Sequence, residues 1–517
     1  MTTKQKRTRS MMVLSGIAVS FMMLGTAGAS SLSHSEYDSP SVNDNNSDAD
    51  LFIQFDAAPD VTDGERVISA HQLEFEAFLE DHHELVTEHR TYEIANAVHV
   101  EANNALLPLI NELPYIADVM ANDPIPLRDI EEEPMTMLSE PASEVENWHL
   151  DMVNAPDVWA DGYRGEGITI GIIDTGVAYD HPALMETWRG YEDGVLDADY
   201  NWYDPIDLSP LPNDQEGHGT QVLSLAMGHD READIQLGMA TDAEWIAARG
   251  LNEAGFGTRA DILSAGEFLL KPTDASGRNA DASKRPDIII NSWGTTDMDE
   301  RWFEEMIESW LEADIFPVFA GGNRGPEPET MLNPAVFEGI MAAGNVNRDG
   351  QLAENSSRGP GYDGVIKPDV VAPGMAVSVA NKEGDYGTRS GTSMAAPQVA
   401  GLAAVLWAED RTLAMSDLQA ILRDTATPMT DDAYPSSPNM GYGYGLLNAS
   451  EALREVVDVD KEEDEPEGDV ITGNVIVMPG RSVTVAEDVT ILGDVILKGD
   501  TSSYDGPEPR GRIVEDF

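Results

Sequence analysis

The sequence predicts an α/β fold: a doubly wound, mostly parallel sheet, preceded by a smaller α+β unit and followed by a short β segment. Three observations carry that prediction. Short continuous apolar runs occur at 168–173, 245–248, 288–291, 316–319 and 340–343. Strands without polar alternation are buried on both faces, as in a parallel sheet covered by helices. Between them, segments such as 261–270 and 302–311 place apolar residues at helical spacing. Strand and helix therefore alternate along the chain, which is the pattern of a doubly wound sheet. With 517 residues there is room for one large domain and smaller modules.

The elements follow in order. Residues 1–29 read as a secretory leader: Lys4, Lys6, Arg7 and Arg9 precede an apolar stretch, and Ala27-Gly28-Ala29 suits small-residue cleavage. Residues 30–50 are polar, with too few apolar groups to fold, and read as a linker. The α+β unit spans 51–123. In it, 51–55 and 94–100 read as strands, 65–79 reads as a helix, and Leu106, Leu107, Ile110 and Leu113 repeat at helical spacing. Residues 124–146 are acidic and contain prolines, which suits an exposed processing linker. The large domain covers 147–457. An acidic linker at 458–468 leads to 469–500, where apolar and polar residues alternate around glycines. That segment is either a small β-module or part of a β-solenoid. Residues 501–517 read as a disordered tail.

Charge narrows the function classes. Ninety-four acidic against 31 basic residues give a net charge of −63. Nucleic acid and anionic membranes need a basic face, so neither is an expected partner. The acids are spread over the whole chain, which suits a surface screened by concentrated salt. No cysteine is present, so no disulfide stabilises the fold.

Four strings carry chemistry. Gly391-Thr392-Ser393-Met394-Ala395-Ala396-Pro397 sets a serine at the start of a small-residue helix, where developing negative charge is favoured. A serine hydroxyl needs a base and a group to orient that base. Gly217-His218-Gly219-Thr220 offers His218 in the first turn of a helix. The strand ending Ile172-Ile173-Asp174 offers Asp174 at a carboxyl end, where α/β sheets hold their chemistry. Ala320-Gly321-Gly322-Asn323 ends another strand on an amide that can donate to an oxyanion.

The chain order Asp174, His218, Asn323, Ser393 resembles the subtilisin-like serine protease family. The segment 244–294 is most similar to its bacillopeptidase F branch. The resemblance implies a secreted serine endopeptidase that cuts polypeptides through an acyl-enzyme, with Asp174, His218 and Ser393 as catalytic residues and Asn323 in the oxyanion hole. It implies that 51–123 chaperones folding and then inhibits the enzyme from within the same chain. No cofactor is required for the chemistry, the mature form has no membrane span, and a monomer is expected. Gly255, Gly257, Ser292, Trp293 and Gly294 correspond to the two segments that sandwich a substrate backbone. Ala320, Gly321 and Gly322 correspond to one wall of the pocket for the residue before the cut bond, with Leu332 near its floor.

Some positions depart from the family. Gln221 and Gln398 stand where histidine is usual, and neither carries catalysis. Ala183 stands where many relatives place a Ca2+-binding aspartate. Oxygen-ligand Ca2+ sites elsewhere remain open to a chain this rich in carboxylates.

Overall fold

The computed structural model describes residues 48–457, apart from 57–59, 63–64, 128–134, 139–144, 299 and 301, together with short strands within 469–516. The expected leader, nearly all of the 30–50 linker and the 458–468 linker lie outside the described residues.

The centre of the fold is a seven-stranded sheet. Its spatial order is Trp202–Tyr203, Glu244–Arg249, Thr169–Asp174, Ile288–Asn291, Phe316–Ala320, Met341–Val346 and Val370–Pro373. Every pairing is parallel. Successive strand residues face opposite sides, and both sides are apolar here. Ile170, Ile172, Ile288 and Ile290 enter one core cluster, with helices His218–Met227 and Ala396–Glu409. Ile173, Ile289 and Phe319 enter the other, with helices Arg259–Leu270 and Trp302–Glu312. The five expected runs all lie in this sheet. Its two edge strands were not expected: one has two residues and the other ends in proline.

Strand order reverses at Thr169–Asp174. The next strands in sequence lie to one side of it, and Ile288–Asn291 opens the other. A doubly wound sheet has its crevice at such a point, outside the carboxyl ends. The two helices of the first layer pack almost backbone to backbone. A Cβ at Gly401 would come 2.6 Å from the carbonyl oxygen of Ala226, so only glycine fits.

The N-terminal unit is a four-stranded antiparallel sheet, ordered Val86–Tyr92, Ala97–Asn103, Asp48–Phe55, Ile116–Ala121. Its first strand starts at Asp48, inside the expected linker. Its helix is Ala70–Asp81 rather than 65–79, because Ser69 and Gln72 form a capping box. Glu65–Val67 instead pairs with Asp60–Thr62. One face of the sheet, with Leu51, Ile53 and Phe55, covers the unit's own core against Phe75 and Leu79. Phe52, on the other face, and Tyr92 and Ile94 at the end of the sheet join the second core cluster of the large domain. Tyr92 Oη donates to Ala260 O at 3.2 Å, and Ser309 Oγ donates to Ile94 O at 2.7 Å. Arg90 pairs with Glu267 at 3.0 Å. The unit is thus seated on the outer surface of two helices of the large domain.

Beyond 468 the backbone forms parallel pairs: Asp469 with Val489, Val475 with Val495, Ser482 with Ser503, and Val495 with Ile513. Each strand pairs with one about twenty residues further on. The pairing runs to Asp516, past the boundary at 500 and into the expected tail. Among the described residues no helix is long and apolar enough to cross a membrane.

Candidate active site

Asp174 is the last residue of the central strand, and His218 is the first residue of its helix. Gly217, at φ +109°, turns the chain into that helix through a left-handed conformation that favours glycine. His218 Nδ1–H donates to Asp174 Oδ1 at 2.8 Å, and both side chains are fully enclosed. Asp174 Oδ1 also accepts the Thr175 N–H at 2.7 Å. The carboxylate therefore fixes the imidazole tautomer, with Nδ1 protonated and Nε2 as the basic nitrogen.

Ser393 lies in the tight turn Thr392–Met394, just ahead of helix Ala396–Glu409. Ser393 Oγ donates to Ser292 O at 3.3 Å, and Ser292 Oγ donates back to Ser393 O at 3.1 Å. This reciprocal pair ties the Ser393 turn to the end of strand Ile288–Asn291. Asn323 Oδ1 accepts from Thr392 N at 2.8 Å and from Thr392 Oγ1 at 3.2 Å. Gly322 N–H in turn donates to Thr392 Oγ1 at 3.0 Å. With its oxygen on Thr392, the Asn323 carboxamide turns its NH2 end the other way, as an oxyanion donor requires.

The groove is occupied by the chain itself. Phe256 and Gly257 pair antiparallel with Pro126 and Ile125. Leu127 N donates to Gly255 O at 3.3 Å, and Gly294 N donates to Leu127 O at 2.7 Å. Residues 125–127 therefore form the middle strand between the two segments expected to sandwich a substrate. The Leu127 side chain is fully buried and shares a cluster with Leu251, Ile262 and Trp293. Trp293 is fixed by its indole N–H, which donates to Ile173 O at 2.9 Å. On the far side, Thr136 and Met137 pair with Thr388 and Gly387, in the strand that runs into Ser393.

Ala320, Gly321 and Gly322 follow one another at the end of their strand, and Gly321 O accepts the Leu332 N–H at 3.0 Å. A Cβ at Gly294 would lie 2.9 Å from Leu332 Cβ, and one at Gly322 would lie 2.5 Å from Leu332 Cγ. Leu332 therefore lies against both Gly294 and Gly322.

Residues 165–445, about half of the chain, match the subtilase family, Peptidase S8. The chain belongs to that family. Bacillopeptidase F of Bacillus subtilis is 36% identical over 381 residues, which is 71% of this chain but 26% of that protein. Serine protease AprX of the same organism is 29% identical over 318 residues, 56% of this chain and 66% of its own. Subtilisin DY of Bacillus licheniformis is 30% identical over 307 residues, 59% of this chain and 97% of its own. This subtilase thus spans about a quarter of bacillopeptidase F and nearly all of a compact subtilisin. The expected likeness to the bacillopeptidase F branch agrees with that match.

Ala183 stands where many relatives are expected to place a Ca2+-binding aspartate. Ala183 packs with Ile235, Leu237, Ala380 and Tyr386 in an apolar cluster and offers no side-chain oxygen. Among the described residues, Asp50, His99 and Glu101 can converge on a cation, but His99 Nε2 already meets Asp50 Oδ1 at 2.6 Å. Gln398 is fully buried, and its amide donates to Pro373 O and Met394 O, bracing the serine turn against an edge strand.

Sequence reasoning missed three contributors. Leu127 and Thr136 sit in an acidic, proline-containing stretch and acquire meaning only through the groove they enter. Asp214, four positions before His218, is one carboxylate among 94 acidic residues. Its signal is burial, which the subtilase fold alone reveals.

Proposed function

We propose that this subtilase is a secreted serine endopeptidase, made as a precursor that cuts and then inhibits itself. The observation that carries the catalytic reading is the enclosed His218–Asp174 hydrogen bond at 2.8 Å. Ser393 Oγ attacks the peptide carbonyl while His218 Nε2 takes its proton. Asp174 holds the tautomer and stabilises the imidazolium that forms. The Asn323 NH2 and the Ser393 backbone N–H receive the oxyanion. His218 then protonates the leaving amine. Water, activated by the same imidazole, releases the acyl group from Ser393.

Self-processing is supported by the strand in the groove. Leu127 is held on one flank and Met135–Met137 on the other, with Met135 Sδ accepting from Gln221 Nε2 at 3.4 Å. The bond to be cut falls between Leu127 and Met135. After the cut, residues 48–127 occupy the acyl side of the groove as a product, which supports the role of inhibitor. Secretion is supported by the leader at 1–29, and salt adaptation by the net charge of −63. That the residues read as catalytic and oxyanion-binding all come from this one chain supports action as a monomer.

Expressing wild-type and Ser393→Ala protein, with mass spectrometry of both, tests the proposal. The wild type should lose the segment ending between Leu127 and Met135, and the variant should stay whole and inactive. Casein hydrolysis by Ser393→Ala at the wild-type rate would refute the catalytic reading. A melting temperature that rises with KCl into the molar range is expected, and maximal stability in dilute buffer would refute salt adaptation.

A further inference from the structure

Asp214 is a buried carboxylate that the mechanism above leaves unused. It is only 7% exposed, and its two oxygens receive four donors. Oδ1 accepts Thr175 Oγ1–H at 2.9 Å and Gly217 N–H at 2.6 Å. Oδ2 accepts Thr220 N–H at 2.9 Å and Thr220 Oγ1–H at 2.7 Å. These donors come from two different elements. Thr175 directly follows Asp174, just past the strand end, while Gly217 and Thr220 flank His218.

Both threonines pass the link onward. Having donated to Asp214, Thr175 Oγ1 accepts the Gly219 N–H at 3.1 Å. Thr220 Oγ1 accepts the Ala178 N–H at 3.0 Å. The backbone follows the same seam, with a bridge between Gly176 and Asp214 and Val177 N donating to Asn213 O at 3.1 Å. Gly176 has φ +114°, and a Cβ there would collide with the Asn213 carbonyl. Only a close, glycine-permitted approach of the two elements allows the network.

Burying a second carboxylate so near Asp174 is costly. Burial raises its pKa and the charge of Asp174 adds to that rise, while the Thr220 and Gly217 donors oppose it. A packed apolar side chain could fill the same volume without that cost. What an apolar group could not do is collect directed donors from both elements at once. We propose that Asp214 is a positioning residue that locks the strand end bearing Asp174 to the helix start bearing His218, and so sets the contact between them. The inference rests on the reading of Asp174 and His218 as the catalytic pair.

The test compares full-length wild type, Asp214→Asn, Thr175→Val and Ser393→Ala on a chromogenic peptide. Each is checked for folding by near-ultraviolet circular dichroism. Asp214→Asn keeps the shape but turns an NH2 toward N–H and O–H donors. Its kcat should fall about 100-fold, the scale of a small misplacement at a reacting group. KM should stay within about two-fold, because substrate binding is not touched. The low-field proton resonance of the His218 Nδ1–H···Asp174 bond should shift or broaden. Thr175→Val cuts one strand-side link and should lower kcat less, again with KM unchanged. A folded Asp214→Asn protein with wild-type kcat and resonance overturns the proposal, as does a rise in KM with kcat intact. If Asp214→Asn fails to fold, Thr175→Val with wild-type kcat and resonance overturns it alone. Activity retained by Ser393→Ala would remove the catalytic reading instead, while the resonance would still report whether Asp214 sets the contact.

Discussion

His218 Nδ1 and Asp174 Oδ1 are 2.8 Å apart, and neither side chain reaches solvent. An isolated buried carboxylate is strongly unfavourable, so this one must be matched by a donor. Asp174→Asn preserves shape but presents an NH2 or a neutral oxygen to Nδ1. The imidazole then favours the wrong tautomer, and kcat should fall on the order of 10⁴-fold with little change in KM. Steady-state kinetics on a chromogenic peptide checks it, and a loss under ten-fold would contradict the assigned role.

Leu127 fills an apolar site beside Leu251, Ile262 and Trp293. Leu127→Asp would place a charge there without a partner, at a cost of several kcal/mol. The acyl-side strand should leave the groove, and uncut precursor should accumulate. Pulse–chase of the full chain reads this directly, and wild-type processing would count against the strand as substrate.

Leu332 lies against Gly294 and Gly322, and we propose that it floors the pocket walled by Ala320, Gly321 and Gly322. Leu332→Gly should deepen it. The ratio of kcat/KM for phenylalanine over alanine before the cut bond should rise about ten-fold or more, the scale for a few methylenes in a pocket. Profiling with a peptide series checks the shift, and an unchanged ratio would place the pocket floor elsewhere.

His149 is fully buried, and its Nε2–H donates to Leu237 O at 2.9 Å. Burial pushes its pKa down to about 4. An unfolded histidine titrates near 6.5. Between those values the unfolded chain holds a proton that the folded chain refuses, so stability falls as pH drops through that window. The loss should reach about 3 kcal/mol, and this group adds no pH dependence above 6.5. His149→Leu, made in the Ser393→Ala background to prevent autolysis, should flatten the melting temperature between pH 6.5 and pH 4. An equally steep curve would assign the acid sensitivity to other groups.

The parts legible in sequence are those whose meaning is local. Continuous runs such as Ile288–Asn291 announce a strand buried on both faces, and the strings around His218, Asn323 and Ser393 hold turn, helix start and functional group together. The edge strands Trp202–Tyr203 and Val370–Pro373 are formed by their neighbours rather than by their own residues. Val370–Pro373 meets the site partly through Gln398, which reaches Pro373 O from another element. Asp214 is invisible for the same reason: its four donors converge from two separate segments, and no spacing rule links Thr175 to Thr220.

Leu127 and Met135 are each anchored to the enzyme that would cut between them. On the proposed self-processing, the first substrate would be delivered at an effective concentration that no other protein can match. Its cleavage should be first order, with a half-time that does not change on dilution. Every molecule would then serve its own chain once before it meets any other.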